Sequence, residues 1–161
     1  MITLRTLTPE DWRAWRELRL AALAEAPAAF SSTLAEWQGP GDTEARWRAR
    51  LSNVALNLIA SLDARPAGMT SGVQAGVPGD VELISMWVQP WARGRGVGDA
   101  LVAAVCAWAA AQGAARVVLR AYDDNAAALA LYRRQGFQAT GTVELSADGA
   151  KREIVMARPT R

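Results

Sequence analysis

Arg93-Gly94-Arg95-Gly96-Val97-Gly98 constrains this chain more than any other stretch, because an apolar run flanks it on each side. Before it, Val81-Glu82-Leu83-Ile84-Ser85-Met86-Trp87-Val88 has the composition of a strand. After it, residues 99–112 are rich in alanine and contain neither Gly nor Pro, which predicts a helix. A strand that feeds a helix through a glycine-rich turn leaves backbone N–H groups bare at the helix N-terminus. Those donors, with the positive end of the helix dipole, favour an anion, most often a phosphate. Two arginines in the turn add formal charge to the same place.

The residues that are missing narrow the chemistry further. There is no histidine, which removes Ser-His-Asp and Cys-His catalysis and His-ligated zinc. The one cysteine, Cys106, cannot form an intrachain disulfide or a multi-cysteine metal site, and among alanines it reads as a small core residue. Acid–base work is therefore left to carboxylates, Tyr, Ser, Arg and backbone. Lys and Arg total 18 against 16 Asp and Glu, a net charge of +2. That excess is too small to mark a nucleic-acid partner. No apolar run approaches ~20 residues, so the expectation is a cytoplasmic protein with no membrane partner.

Read in order, Ile2-Thr3-Leu4-Arg5-Thr6-Leu7 alternates like a half-buried strand. Thr8-Pro9-Glu10-Asp11 opens a helix whose Trp12, Trp15, Leu18, Arg19, Ala22 and Leu23 fall on one stripe. Thr43 caps a second short helix with Trp47 inward. The tryptophans at 12, 15, 37 and 47 either line an organic-substrate pocket or fix two short helices to a sheet, and the second reading is preferred. Residues 54–62 and 67–73 read as a hairpin around Asp63-Ala64-Arg65-Pro66. After the central strand, loop and helix come a short buried strand at 116–121, a helix at 125–135 stopped by Gly136, and a last strand pair. The order β-α-α-β-β-β-α-β-α-β-β predicts an α/β (α+β) fold: a mixed sheet of six or seven strands flanked by about four helices. No repeat or linker divides the 161 residues, so 1–161 is read as one domain.

Three phosphate ligands compete for the loop. Nucleotide hydrolysis needs Gly-Lys-Ser/Thr at the end of the turn, and here Asp99 follows Gly98. A dinucleotide fold wants G-x-G-x-x-G early in a parallel unit, whereas this loop reads G-x-G-x-G after two hairpin-like strands. The third reading rests on more residues. Arg93-x-x-Gly96-x-Gly98 resembles the [Gln/Arg]-x-x-Gly-x-[Gly/Ala] pattern of the GNAT superfamily of acyl-CoA-dependent N-acyltransferases, with Trp87-Val88-Gln89-Pro90 similar to its lead-in. Asp124-Asn125-Ala126-Ala127-Ala128-Leu129-Ala130-Leu131-Tyr132-Arg133-Arg134-Gln135-Gly136-Phe137 resembles the second signature of that superfamily. The likeness is close over about residues 80–140 and elsewhere lies in element order alone.

The resemblance implies a GNAT fold, acetyl-CoA as cosubstrate and no metal. It implies that Arg93, Gly94, Arg95, Gly96, Val97 and Gly98 hold the coenzyme pyrophosphate. Met86, Trp87 and Val88 would meet the pantetheine amides at a bulge in the strand, and Asn125 would touch the same arm. Tyr132, two helical turns from Asn125, would protonate the leaving thiolate, since a phenol with a pKa near ~10 stays protonated at neutral pH. Without histidine, a carboxylate acting through water is the natural base. Glu82 lies where many relatives place one and is preferred over Asp80, Asp123 and Glu144. The expected activity is N-acetyl transfer to the primary amine of a small molecule, antibiotic-like compounds included, by direct attack in a ternary complex. A protein N-terminus or lysine is the alternative acceptor, and a non-catalytic acyl-CoA-binding module the alternative of another class. Acceptor identity, acetyl against longer acyl donors, and monomer against homodimer stay open.

Overall fold

The structure, a computed structural model, describes all residues, Met1–Arg161. The elements are β1 (Ile2–Thr6), α1 (Trp12–Glu25), α2 (Glu44–Asn53), β2 (Leu56–Leu62), β3 (Arg65–Gln74), β4 (Asp80–Val88), α3 (Val97–Ala111), β5 (Arg116–Tyr122), α4 (Ala126–Arg134), β6 (Gln138–Leu145) and β7 (Arg152–Pro159). This is the predicted order. The strands form one seven-stranded sheet in the order β1-β2-β3-β4-β5-β7-β6. β4 and β5 are parallel, whereas β1 with β2, β5 with β7 and β6 with β7 are antiparallel, so the sheet is mixed as expected.

Two compact units are distinguished by their internal contacts: Met1–Ser71 with Ser85–Leu101, and Gly72–Ile84 with Val102–Arg161. In the first, Pro9 opens a single 3₁₀ turn ahead of α1, and the Asp11 carboxylate accepts the Thr8 amide at 2.8 Å. That closes the chain entry in the manner of a capping box. α1 then buries Trp15, Leu18, Arg19, Ala22 and Leu23, the spacing of one helical face. Thr43 Oγ1 accepts the Arg46 amide at 3.2 Å and starts α2, which buries Trp47 and Leu51. Trp15, Leu18, Ala22, Trp47 and Leu51 pack with Leu7, Ile59, Met69 and Trp87 into one core. Trp15 and Trp47 lose all solvent exposure, so half of the early tryptophans hold the helices down, as preferred above.

The β2–β3 turn is tighter than expected. Only Asp63 and Ala64 lie outside the strands, both left-handed at φ 51° and 66°. That is the geometry a two-residue hairpin of right-twisted strands demands, and Arg65 and Pro66 already belong to β3.

In the second unit, α3 buries Val102, Val105, Cys106 and Ala109 at helical spacing, which places the cysteine in the core as read. β5 contributes Val117, Val118, Leu119 and Ala121. Asp80, nearly buried, accepts Arg116 Nε at 3.0 and 3.1 Å, and the same two residues are register partners in the parallel pair. β6, at the sheet edge, is exposed along almost its whole length. Its register shifts between Ala139 and Val143, where Gly141 takes φ 91°. Such an irregularity blunts a strand edge against pairing with other chains.

Candidate active site

β4 begins with regular alternation: Val81 and Leu83 are buried, Glu82 and Ile84 less so. The pattern breaks at Ser85, which holds φ 57° in mid-strand. A left-handed serine costs on the order of 1–2 kcal/mol, so the surroundings must enforce it. Its Oγ accepts Arg50 Nη2 at 3.1 Å. The distortion expected over Met86, Trp87 and Val88 thus starts one residue earlier. Met86 follows as a half-buried side chain. The Trp87 indole turns into the core of the first unit and donates Nε1–H to Glu25 at 2.9 Å. The Val88 carbonyl accepts Arg93 Nε at 3.1 Å.

The loop follows a short 3₁₀ turn, Pro90–Ala92. Gly94 and Gly96 are left-handed at φ 75° and 86°, conformations that a side chain would strain. A Cβ at Gly94 would meet nothing within 4 Å, and one at Gly96 only Ile2 Cδ1 at 3.7 Å. The glycines are there for backbone shape, and an added Cβ at either would meet no backbone atom within 4 Å. Val97 is buried and anchors the start of α3. The first helical hydrogen bond runs from the Ala100 amide to the Gly96 carbonyl, so the Val97 and Gly98 amides precede it at the positive end of a long helix. These features suit a diphosphate.

The two loop arginines differ. Arg93 Nη2 is held by Glu25 at 2.9 Å, so this guanidinium braces the loop against α1. Arg93 first, then Trp87, pulls the Glu25 carboxyl below its ordinary range. Arg95 stays exposed and carries the loop's outward charge. The charge expected from Arg93 and Arg95 jointly is therefore divided between scaffold and surface.

The second signature resolves into a helix with two defined ends. Asn125 is the N-cap: it lies just before α4, and its Oδ1 accepts the Ala128 amide at 3.2 Å. Sequence spacing predicts it inside the helix on the Tyr132 face; the cap geometry, φ −94° and ψ 77°, sets it outside the helical turn. At the other end the Phe137 amide bonds the Tyr132 carbonyl at 2.9 Å, and the Gly136 amide bonds the Arg133 carbonyl at 3.0 Å. With Gly136 at φ 89° this is a Schellman ending. Its usual apolar contact is present as the Tyr132 and Phe137 rings, 6.0 Å apart and edge-on. The Y-x-x-x-G-F spacing is thus the chemistry of a helix end, and its first residue is held at the last turn. Tyr132 is only 6% exposed, and burial pushes its phenol well above the ordinary range, so it keeps its proton at neutral pH.

Glu82 is not solitary. Its Oε2 accepts Arg120 Nη1 at 2.8 Å, while Arg120 Nε reaches Glu144 Oε2 at 2.7 Å. The other carboxylates weighed as bases are paired as well: Asp80 with Arg116, Asp123 with Arg152 at 3.9 Å, and Glu144 with Arg120. Glu25 and Arg120, which hold the loop and the carboxylate, were not singled out from sequence. Each acts on a residue tens of positions away, and no local pattern marks it.

Residues 12–137 match the Acetyltransferase (GNAT) family. The chain belongs to the GNAT acetyltransferase family. It is 35% identical to a mycothiol acetyltransferase of Clavibacter michiganensis subsp. michiganensis over 85% of the chain, and spans 42% of that protein's length. It is 29% identical to an aminoglycoside N(6')-acetyltransferase type 1 of Stenotrophomonas maltophilia, over 88% of the chain and 89% of the relative. In fold, this GNAT chain resembles the PaiA N-acetyltransferase of Thermoplasma acidophilum in complex with coenzyme A: TM-score 0.75, 17% identity, 99% of both chains. No helix is long and apolar enough to cross a membrane.

Proposed function

We propose that residues 1–161 form one acyl-CoA-dependent N-acyltransferase domain, which moves an acetyl group from acetyl-CoA to the primary amine of a small molecule. The observation that carries this reading is the open loop at the start of α3, with Gly94 and Gly96 left-handed and nothing close above Gly94. Family membership over residues 12–137 and the small-molecule amine named for the aminoglycoside relative support it.

In this reading Arg95, the two glycines and the amides of Val97 and Gly98 bind the diphosphate, while Arg93 braces their loop from Glu25. Acetyl-CoA supplies a thioester already activated, so direct attack needs positioning and proton transfer only. The amine nitrogen lone pair forms the new C–N bond as the C–S bond breaks. Tyr132 delivers its phenolic proton to the departing sulfur. Glu82 takes the proton shed by the amine through a water molecule, and its contact with Arg120 orients it. Asn125 fixes the start of α4 and thereby the direction of the helix that carries Tyr132.

The test is thiol release from acetyl-CoA with a panel of amines and peptides. Release that depends on a small amine supports the reading. Binding of acetyl-CoA with no thiol released by any acceptor contradicts it, and release with peptides alone makes the acceptor a protein.

A further inference from the structure

Three buried side-chain polar atoms have no hydrogen-bond partner: Trp12 Nε1, Trp15 Nε1 and Arg19 Nη1. All are donors, and all come from one stripe of α1. A buried donor without a partner bears its full desolvation cost, so three on a single helix face ask for a cause.

The charge around them sharpens the point. Arg19 is only 8% exposed, and its guanidinium lies 4.7 Å over the Phe30 ring. Arg50 of α2 lies 4.9 Å over the Trp15 ring. Its bonds run to Asn57 Oδ1 at 2.8 Å and to Ser71 Oγ and Ser85 Oγ at 3.1 Å, all neutral acceptors. Burial holds both guanidinium groups down to about 10, and the Arg19 charge adds to the shift at Arg50. No carboxylate offsets either. Yet this chain supplies one elsewhere, to Arg16, Arg93, Arg116 and Arg120.

Packing alone does not explain the pair. A methionine or leucine at position 19 would fill the stripe without desolvating a charge. Residues kept at a cost to stability are a mark of function. The donor atoms themselves are buried, while Trp12, Phe30, Arg50 and Ser85 around them are half-buried.

We propose that the acceptor amine carries a carboxylate, bound by Arg19 with the Trp12 and Trp15 indole N–H groups as neutral donors and Arg50 as the second positive charge. A guanidinium fork matches a planar carboxylate in two parallel bonds. The same two charges repel a polycationic acceptor. This deepens the transferase reading above and rests on it for the word acceptor; the anion site itself does not depend on catalysis.

Two measurements keep those apart. In the first, L-amino acids, their amides and their decarboxylated amines are titrated into the protein, followed by tryptophan fluorescence and thermal shift. Carboxylate-bearing compounds are expected to change the fluorescence and raise Tm, and the amides and amines are not. Arg19→Met is expected to keep or raise the unliganded Tm, retain acetyl-CoA binding and lose the carboxylate response. Arg19→Gln, which keeps a donor but drops the charge, provides the same test should the methionine fold poorly. In the second, kcat/KM for carboxylate-bearing acceptors falls at least about 100-fold in these variants, the scale for removing one partner of a buried charge pair.

No carboxylate response in the wild type, or equal transfer to carboxylate-bearing acceptors by wild type and variant, overturns the proposal. A lower Tm in Arg19→Met without that response assigns the arginine to packing and also overturns it. An Arg19-dependent carboxylate response with no thiol release from any acceptor leaves the anion site standing and removes the transferase reading instead.

Discussion

The stripe of α1 and the β4–β5 strand pair treat charge in opposite ways. In the strand pair every cation has an acid: Arg116 with Asp80, and Arg120 between Glu82 and Glu144. On the α1 stripe the deepest cation, Arg19, has none, and Arg50 beside it leans on neutral oxygens. A region that satisfies its own charges can hold a proton-transfer group in a fixed state. A region that leaves donors and cations without counter-ions is complementary to something outside the chain. The difference teaches which part of the fold to read for chemistry and which for recognition.

The largest expected effect falls on the chemical side. Tyr132→Phe removes the proposed proton donor and is predicted to lower kcat by ~10²–10⁴-fold. Acetyl-CoA binding, measured by calorimetry, stays intact; full activity in that variant would assign Tyr132 to packing. Next comes Gly136→Ala, which forces a side chain into φ 89° at the Schellman ending. It is expected to cost about 1–2 kcal/mol. Spread over a chain of this size, that lowers Tm by roughly 2–8 °C. Activity falls with it, because the last turn of α4 carries Tyr132.

The comparison itself is broken or sharpened by matched substitutions of cations. Arg120→Met strands Glu82 and Glu144 and is predicted to lose about 0.5–1 kcal/mol, small because the partners are partly solvated. Arg19→Met is predicted to lose nothing. If both variants lose stability alike in urea titrations, the two regions do not differ in kind.

Much of this was legible along the chain. Alternation, caps and turn residues carry local information, so the element order follows from them directly, and the Gly136 stop and the Thr43 cap need only their neighbours. The two signatures are legible for the same reason: one is a loop entering a helix, the other a helix with both ends written in. What was not legible depends on distant partners. Arg93 belongs to Glu25, 68 positions away, and Glu82 to Arg120, 38 away. Ser85 is left-handed although serine has no preference for it, so Arg50 and the strand around it must impose that geometry. Arg19 did stand in the apolar stripe as a visible misfit, a signal that pattern reading absorbs into the helix face.

The smallest effect is an acid limit. Asp42 is pulled down to about 2, first by its bond from Arg16 and then by that from Trp47 Nε1 at 2.8 Å. A carboxylate depressed on folding stabilises above its unfolded pKa, and that contribution fades as pH falls from about 4 towards 2. Asp42→Asn is therefore expected to lose stability at neutral pH and to flatten the acid-unfolding profile between those values, as followed by circular dichroism. An unchanged profile would mean the Arg16–Asp42–Trp47 contact is not maintained in solution.

The most direct measurement is a thiol-release assay on the intact protein with acetyl-CoA and paired acceptors, each L-amino acid beside its amide. The predicted result is one thiol released per amine acetylated, dependent on Tyr132 and favouring the member with the free carboxylate. Acetyl-CoA bound but never cleaved, whatever amine is offered, is the result that would contradict it.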